Sequence, residues 1–124
     1  MKILRSAQDY LEAMLVLKER HGYIRSVDIA AELQVTKPSV SYATKRLREN
    51  GYIIMKEDGM ITLTEKGLEI AENMYERHRL LTQFFVRLGV DEKIAREDAC
   101  KIEHDLSADT FEAIKRHADI MSNK

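Results

Sequence analysis

Side chains that commonly bind transition metals lie close together near the end of the sequence. Cys100, Glu103 and His104 are spaced i, i+3 and i+4 in a segment predicted to be helical, which would place them on one helix face. A thiolate, a carboxylate and an imidazole are all ligands of divalent transition metals. The spacing therefore favours a metal site, although a lone cysteine more commonly packs as a small hydrophobic residue.

Two other segments offer ligands of the same kind. Asp9 and Glu12 are spaced i, i+3 on the first predicted helix. His78 falls on the apolar stripe of a long predicted helix, and a buried imidazole needs a partner. Considered one at a time, the acids fit solvent exposure and the histidine fits a hydrogen-bonded core residue. The metal hypothesis rests on the presence of all these candidate ligands in one chain. His21 and His117 have no neighbouring candidate ligands and are predicted to be surface residues.

The periodicity of apolar residues predicts the elements that position these side chains. Helical spacing covers most of the chain, whereas the segment around Asp58-Gly59 is typical of a β-hairpin with a two-residue turn. The order predicts a mainly α fold with a small β-hairpin wing, which is a winged helix-turn-helix followed by a C-terminal helical dimerisation domain. We expect residues 1–71 to form the winged-helix DNA-binding domain and residues 72–124 the helical dimerisation and metal-binding domain. The predicted helices run from about Ser6, as cap, to Arg20, from Ser26 to Leu33, from the cap Thr36 to about Asn50, from the cap Thr64 to Leu88, from Asp91 to Asp105 and from Ser107 to Met121.

The third predicted helix has the features of a DNA recognition helix. With Val40, Ala43 and Leu47 facing inward, about 100° per residue leaves an opposite face that is hydrogen-bonding near its start and cationic further along. Such a face suits a helix in the major groove, where hydroxyls contact bases or phosphates and cations contact phosphates. The predicted DNA-contacting residues are Lys37, Pro38, Ser39, Ser41, Tyr42, Lys45 and Arg46 on this helix and Lys56 on the wing.

Charge and composition limit the other classes of protein. The 124-residue chain has a net charge of −1, but basic residues dominate between Thr36 and Lys56 and acidic residues between Asp91 and Glu112. A basic segment and an acidic segment in one chain indicate two separate functions. No apolar stretch approaches the roughly 20 residues of a membrane span, and the single cysteine cannot form an internal disulfide. We therefore expect a cytoplasmic protein with no membrane partner and no small organic substrate.

Five segments that span almost the whole chain carry a family pattern: 6–12 (SAQDYLE), 37–41 (KPSVS), 63–67 (LTEKG), 77–81 (RHRLL) and 102–107 (IEHDLS). In their order and spacing they resemble the diphtheria-toxin-repressor family, and most of all its manganese transport regulator branch. The resemblance implies a repressor of metal-uptake genes that binds operator DNA as a homodimer when a metal is bound. It also implies a ligand set of Asp9, Glu12, His78, Glu103 and His104.

The sequence departs from both branches of this family at ligand positions. It has Cys100 where the manganese branch has a carboxylate and the iron branch has cysteine, and it has Asp9 where the iron branch has methionine. Thr82 and Arg96 stand where the iron branch's ancillary site has an acid and an imidazole, so that site is predicted to be incomplete. Hard oxygen ligands favour Mn(II), and a thiolate favours softer metals. We expect activation by Mn(II) or Fe(II), with a preference for Mn(II), while Zn(II) or Co(II) would bind in vitro.

Two other interpretations fit parts of the sequence. A metal-independent winged-helix regulator would leave the acids as solvated residues and would bind DNA in the presence of a chelator. An enzyme would use Cys100 as nucleophile and His104 as base, but nothing supplies an oxyanion hole or a third orienting residue.

A dimer needs an apolar surface in the C-terminal part. The residues predicted to supply it are Phe84, Phe85, Leu88, Ile94, Leu106, Phe111 and Ile114.

Overall fold

The computed structural model describes the backbone of residues 5–122 and the side chains of residues 5–118. Within residues 5–122 the chain forms six helices and one two-stranded antiparallel sheet, which confirms the predicted mainly α fold with a hairpin wing. No helix in this part of the chain is both long enough and apolar enough to cross a membrane. The elements are α1 (Arg5–His21), α2 (Ser26–Leu33), α3 (Lys37–Glu49), β1 (Ile53–Met55), β2 (Ile61–Leu63), α4 (Glu65–Arg87), α5 (Glu92–Ile102) and α6 (Ala108–Ser122).

The chain divides within α4 into two compact units, the first ending at Asn73 and the second beginning at Met74. The core of the first unit is formed by α1, α2, α3 and the sheet. α1 begins at Arg5, so Ser6 lies inside the helix and the prediction that it caps α1 is wrong. The most deeply buried residues of this core are Leu11, Met14, Leu17, Ile24, Ile29, Val40 and Ile53.

Local sequence determines the turn between α2 and α3. Gln34 ends α2 in the left-handed conformation, with φ of 56°. The Thr36 side-chain oxygen accepts a hydrogen bond from the backbone N–H of Ser39 at 3.2 Å, and Pro38 lies in the first turn of α3. Both features were predicted, because a hydroxyl at the N-cap and a proline in the first turn are favourable at a helix start. The helix-turn-helix is therefore encoded locally.

The hairpin turn is one residue longer than predicted. The Lys56 backbone N–H donates to the Met60 carbonyl at 2.9 Å, so three residues, 57–59, connect the paired segments. The predicted two-residue turn of Asp58 and Gly59 is therefore wrong. Gly59 has a φ of +87°, which is the left-handed conformation needed at the end of a three-residue hairpin loop. The Asp-Gly pair located the turn but did not determine its length.

The start of α4 packs closely against the hairpin within the first unit. The Thr64 side-chain oxygen accepts from the Gly67 N–H at 3.2 Å, as predicted for a cap, and its hydroxyl donates to the Gly51 carbonyl at 2.7 Å. A Cβ atom on Gly67 would lie 2.1 Å from the carbonyl oxygen of Tyr52. Only glycine permits so close an approach of the two backbones.

The second unit contains the remainder of α4 together with α5 and α6. Asp91 caps α5 by accepting a backbone hydrogen bond from the first turn at 3.2 Å, and Ser107 does the same for α6 at 3.1 Å. α5 ends at Ile102, earlier than the predicted end at Asp105. The buried side chains of this unit include Met74, Leu81, Ala95, Ala99 and Phe111.

The apolar residues predicted to form a dimer surface are not equally accessible. Leu88 and Ile94 are 63% and 51% exposed, which leaves their apolar area available. Phe111 is only 4% exposed and packs inside its own unit, so the prediction that it supplies area to a partner is wrong. The other predicted members are partly buried: Phe84, Phe85, Leu106 and Ile114.

Candidate metal centre and nucleic-acid interface

A buried carboxylate lies among the predicted ligands of the second unit. The Glu103 side chain is completely buried. Its Oε2 lies 3.0 Å from Nδ1 of His78, and its Oε1 lies 3.5 Å from Nε2 of His104. The His104 side chain is 2% exposed, whereas that of His78 is 27% exposed. Three of the predicted ligands therefore converge in the second unit.

The unused hydrogen-bonding capacity of Glu103 fits a bound cation. Its buried Oε1 has no hydrogen-bond partner among the residues that the structure describes. Leaving a buried polar atom in that state costs about 1–3 kcal/mol, and more for a charged group, so such atoms normally have a partner. A carboxylate with two imidazoles is a donor set that transition metals bind. The residues of this cluster therefore fit the metal that the sequence implies.

Arg77, which sequence reasoning missed, holds the backbone of the same cluster. Its Nη1 donates to the carbonyl of Glu103 at 3.0 Å and to the carbonyl of Leu106 at 2.7 Å. The residue is 8% exposed, and its guanidinium carbon lies 5.1 Å from the centroid of the Phe111 ring. The sequence did contain a signal, because position 77 places a cation three residues after Met74 on the apolar stripe of α4.

Cys100 does not share the environment of the buried ligands. It is exposed on α5, whereas the Glu103 side chain three residues later is completely buried. Because α5 ends at Ile102, Glu103 is its C-cap residue and His104 lies beyond the helix. The expectation that His104 lies within this helix is therefore wrong, whereas the Glu103 backbone keeps helical dihedral angles, with φ of −58° and ψ of −28°. The assignment of Cys100 as a ligand stays a prediction.

The two acids of α1 belong to the first unit. Asp9 and Glu12 are partly buried, and the neighbouring Ala13 is 6% exposed, so this face of α1 is not simply a solvated surface. Their assignment as ligands also stays a prediction. His21 and His117, which were excluded as ligands, are both exposed, as predicted.

The residues at the ancillary position make other interactions. The Thr82 hydroxyl donates to the His78 carbonyl at 2.7 Å, and Arg96 forms an ion pair with Glu92 on the same helix. A guanidinium has only donors and no lone pair for a metal. Neither contact supplies the acid and imidazole that the family pattern would require.

The outward face of α3 is exposed, as predicted for a DNA-binding surface. Tyr42 is 63% exposed, and its hydroxyl accepts a hydrogen bond from Nη1 of Arg46 at 2.9 Å. This hydrogen bond raises the pKa of the Arg46 guanidinium, which keeps its positive charge. Every residue of the predicted DNA-contacting set is exposed: Lys37, Pro38, Ser39, Ser41, Tyr42, Lys45, Arg46 and Lys56.

The inner face of α3 differs from the prediction at one position. Val40, Thr44 and Leu47 are buried, whereas Ala43 is only partly buried. Thr44 is tolerated inside because its hydroxyl donates to the carbonyl of Val40 at 2.9 Å. The outward face keeps its polar and cationic character.

Comparison with protein-family models matches nearly the whole chain. Residues 2–61 match the N-terminal DNA-binding domain of the iron dependent repressor, and residues 64–121 match its metal-binding and dimerisation domain. An uncharacterised HTH-type transcriptional regulator of Methanocaldococcus jannaschii is 39% identical over 113 residues, which cover 90% of this chain and 90% of the relative. The HTH-type transcriptional regulator MntR of Lysinibacillus sphaericus is 36% identical over 94% of this chain and 81% of the relative.

Solved structures share the fold of this chain. A manganese-dependent transcriptional repressor in complex with manganese matches with a TM-score of 0.83 and 29% identity, over 91% of this chain and 52% of the other. The manganese regulator SloR matches with a TM-score of 0.80 and 28% identity, over 91% of this chain and 53% of the other. This chain therefore spans about half the length of these two solved proteins.

Proposed function

Because the chain belongs to the iron-dependent repressor family of metal-dependent transcriptional regulators, we propose that it represses metal-uptake genes as a homodimer when Mn(II) or Fe(II) is bound. The observation that carries the metal requirement is the buried Glu103 carboxylate between the imidazoles of His78 and His104. The exposed, cationic outer face of α3 supports the binding of operator DNA.

The two parts of the chain have different proposed functions. We assign DNA binding to residues 1–71 and dimerisation and metal binding to residues 72–124. The two family models, which match residues 2–61 and 64–121, support this assignment. The exposed apolar side chains of Leu88 and Ile94 support an interface in the second part.

The proposed ligand set draws on both parts. Asp9 and Glu12 are included because of their i, i+3 spacing on α1 and the family resemblance. Cys100 is included because the iron branch of the family, which this chain resembles at this position, has a cysteine there. When bound, a divalent cation would supply positive charge that offsets the carboxylates of this set. The complete set is Asp9, Glu12, His78, Cys100, Glu103 and His104.

Joint use of these ligands explains how DNA binding would depend on metal. Residues of α1 belong to the part that carries the recognition helix, whereas the other ligands belong to the part that dimerises. Their simultaneous binding to one cation would restrict the two recognition helices of the dimer. Couplings of this kind are typically about 1–3 kcal/mol, and restricted motion alone supplies part of it.

The ligand chemistry slightly favours Mn(II) over Fe(II). Asp9, Glu12 and Glu103 offer hard oxygen atoms, and Cys100 is the one soft donor in the proposed set. A solved relative in complex with manganese supports the preference. We expect Zn(II) to bind but to activate poorly, because a tetrahedral ion would use only four of the six ligands.

The two competing hypotheses are less well supported. The family consists of transcriptional regulators, so the hypothesis of an enzyme with Cys100 as nucleophile is dropped. The match of residues 64–121 to a metal-binding domain disfavours a metal-independent regulator.

The metal requirement can be tested on DNA that the protein itself selects. A random DNA pool is selected on the wild-type protein in parallel with Mn(II), with Fe(II) under anaerobic conditions, and with chelator. Fluorescence anisotropy then measures the affinity for the enriched DNA. We expect pseudo-palindromic sites in both metal arms, with half-sites about one helical turn or a multiple apart, and loss of binding in chelator.

Two histidine variants provide a matched comparison in the same unit. His78→Ala should remove the metal response, whereas His117→Ala, at an exposed position on α6, should retain it. Equal DNA affinity in metal and in chelator would instead support the metal-independent regulator.

A further inference from the structure

We propose that Arg77 is a positioning residue of the metal centre, which fixes Glu103 and His104 in their binding geometry before a cation arrives. This inference rests on the proposed metal-dependent function. Arg77 and His78 are consecutive on α4 and both hold Glu103. Arg77 bonds its backbone carbonyl at 3.0 Å, and His78 contacts its carboxylate at 3.0 Å.

The two carbonyls that Arg77 holds are the ends of the turn that carries His104. Glu103 is the C-cap of α5, and Leu106 immediately precedes Ser107, the cap of α6. Nη1 of Arg77 donates to both carbonyls, at 3.0 and 2.7 Å. One guanidinium nitrogen therefore fixes the backbone on both sides of His104.

The burial of Arg77 indicates a role beyond ordinary core packing. The residue is 8% exposed, and its Nε is buried without a hydrogen-bond partner among the described residues. An apolar side chain would fill this space without that cost. The guanidinium instead supplies the donors that the turn needs, because the carbonyls of Glu103 and Leu106 lie beyond the end of α5.

Positioning of this kind has a measurable effect on metal affinity. Groups that orient the ligands of a metal typically change its affinity by about 10–100-fold when they are removed. A turn that is already ordered also loses less conformational freedom when the cation binds. We therefore expect the Kd for Mn(II) to rise about 10–100-fold in Arg77→Met. Arg77→Lys should recover part of the affinity, because an ammonium retains donors but lacks the planar guanidinium.

The test uses the full chain without DNA. Isothermal calorimetry with Mn(II) alone gives the Kd, and thermal unfolding in chelator gives the stability of the metal-free protein. Hydrogen exchange in chelator reports on the backbone N–H of Asp105, which donates to the Ile102 carbonyl at 3.0 Å inside the turn. The control is Arg79→Met, which removes a cation from an exposed position on the same helix.

The positioning role predicts a specific combination of results. In Arg77→Met the Asp105 amide exchanges faster and Mn(II) binds more weakly, while amides in the middle of α4 keep their protection. In Arg79→Met the Kd and the Asp105 exchange stay at wild-type values.

Three results would overturn the inference. The first is a Kd for Mn(II) in Arg77→Met within twofold of the wild type. The second is a uniform loss of protection throughout the second unit, which would make Arg77 a general determinant of stability. The third is that neither Arg77 variant folds in chelator, which would also make Arg77 a general determinant of stability. Failure of the proposed function is distinct from all three, because the wild-type protein itself would then bind no Mn(II).

Discussion

Replacement of Glu103 by glutamine should separate metal binding from folding. The substitution keeps the shape of the side chain and removes its negative charge. Glu103 is completely buried, and its Oε1 has no hydrogen-bond partner within the described part of the chain. A glutamine amide can donate to one neighbouring imidazole and accept from the other. We therefore expect Glu103→Gln to unfold in chelator at the wild-type temperature or at a higher one.

The size of the metal effect follows from linkage. At a Mn(II) concentration of about 100 times its Kd, binding stabilises the wild-type protein by about 2.7 kcal/mol. At about 4 °C per kcal/mol for a chain of this size, the Tm should rise by roughly 10 °C. If loss of the carboxylate weakens binding about 100-fold, the same Mn(II) concentration contributes only about 0.4 kcal/mol, and the Tm rises by roughly 2 °C.

The assay is thermal unfolding followed by circular dichroism, with and without Mn(II), for the wild type and two variants. Glu97→Gln removes the same charge from an exposed position on α5 and should keep the full metal-induced rise in Tm. The reasoning would be refuted if Glu103→Gln kept that rise. It would also be refuted if the variant were clearly less stable than the wild type in chelator, because the carboxylate would then be stabilising the fold itself.

Four further substitutions test other parts of the account. Lys45→Ala should weaken binding to operator and mismatched DNA alike and reduce the salt slope by about one unit; no change with either DNA would mean that α3 is not the helix in the groove. Gly67→Ala should lower the free energy of unfolding by about 2–3 kcal/mol, because its Cβ would lie 2.1 Å from the Tyr52 carbonyl oxygen. Gly22→Ala, in open space at φ of +83°, should cost only about 1 kcal/mol, and equal losses in chemical denaturation would contradict this contrast. Cys100→Ala should weaken the DNA-binding response to Fe(II) more than that to Mn(II), and unchanged responses to both metals would remove Cys100 from the ligand set.

The parts of the fold that local chemistry determines were predictable. Thr36 and Thr64 cap α3 and α4 as expected, because a hydroxyl followed by a helix-forming segment is a local signal. The Asp-Gly pair marked the hairpin, but the length of its loop depends on pairing between the flanking strands. Local patterns specify where an element begins more reliably than how neighbouring elements pair.

The parts that depend on distant residues were not predictable. No glycine or proline marks the end of α5 at Ile102. The carbonyls just beyond it accept hydrogen bonds from Arg77, which lies 26 residues before Glu103 and 29 before Leu106. The candidate ligands could be chosen by residue type, but their mutual geometry could not.

Measuring the affinity for metal with and without operator DNA tests the central claim most directly. The operator is the DNA that is enriched on the wild-type protein in Mn(II), and calorimetry then gives the Kd for Mn(II) alone and at saturating DNA. Metal and DNA binding must be coupled reciprocally if one favours the other. The account predicts that operator DNA lowers the Kd for Mn(II) by about 5–150-fold, whereas unrelated DNA has a smaller effect. Identical Mn(II) affinity with and without operator would contradict the claim that metal binding controls DNA binding in this chain.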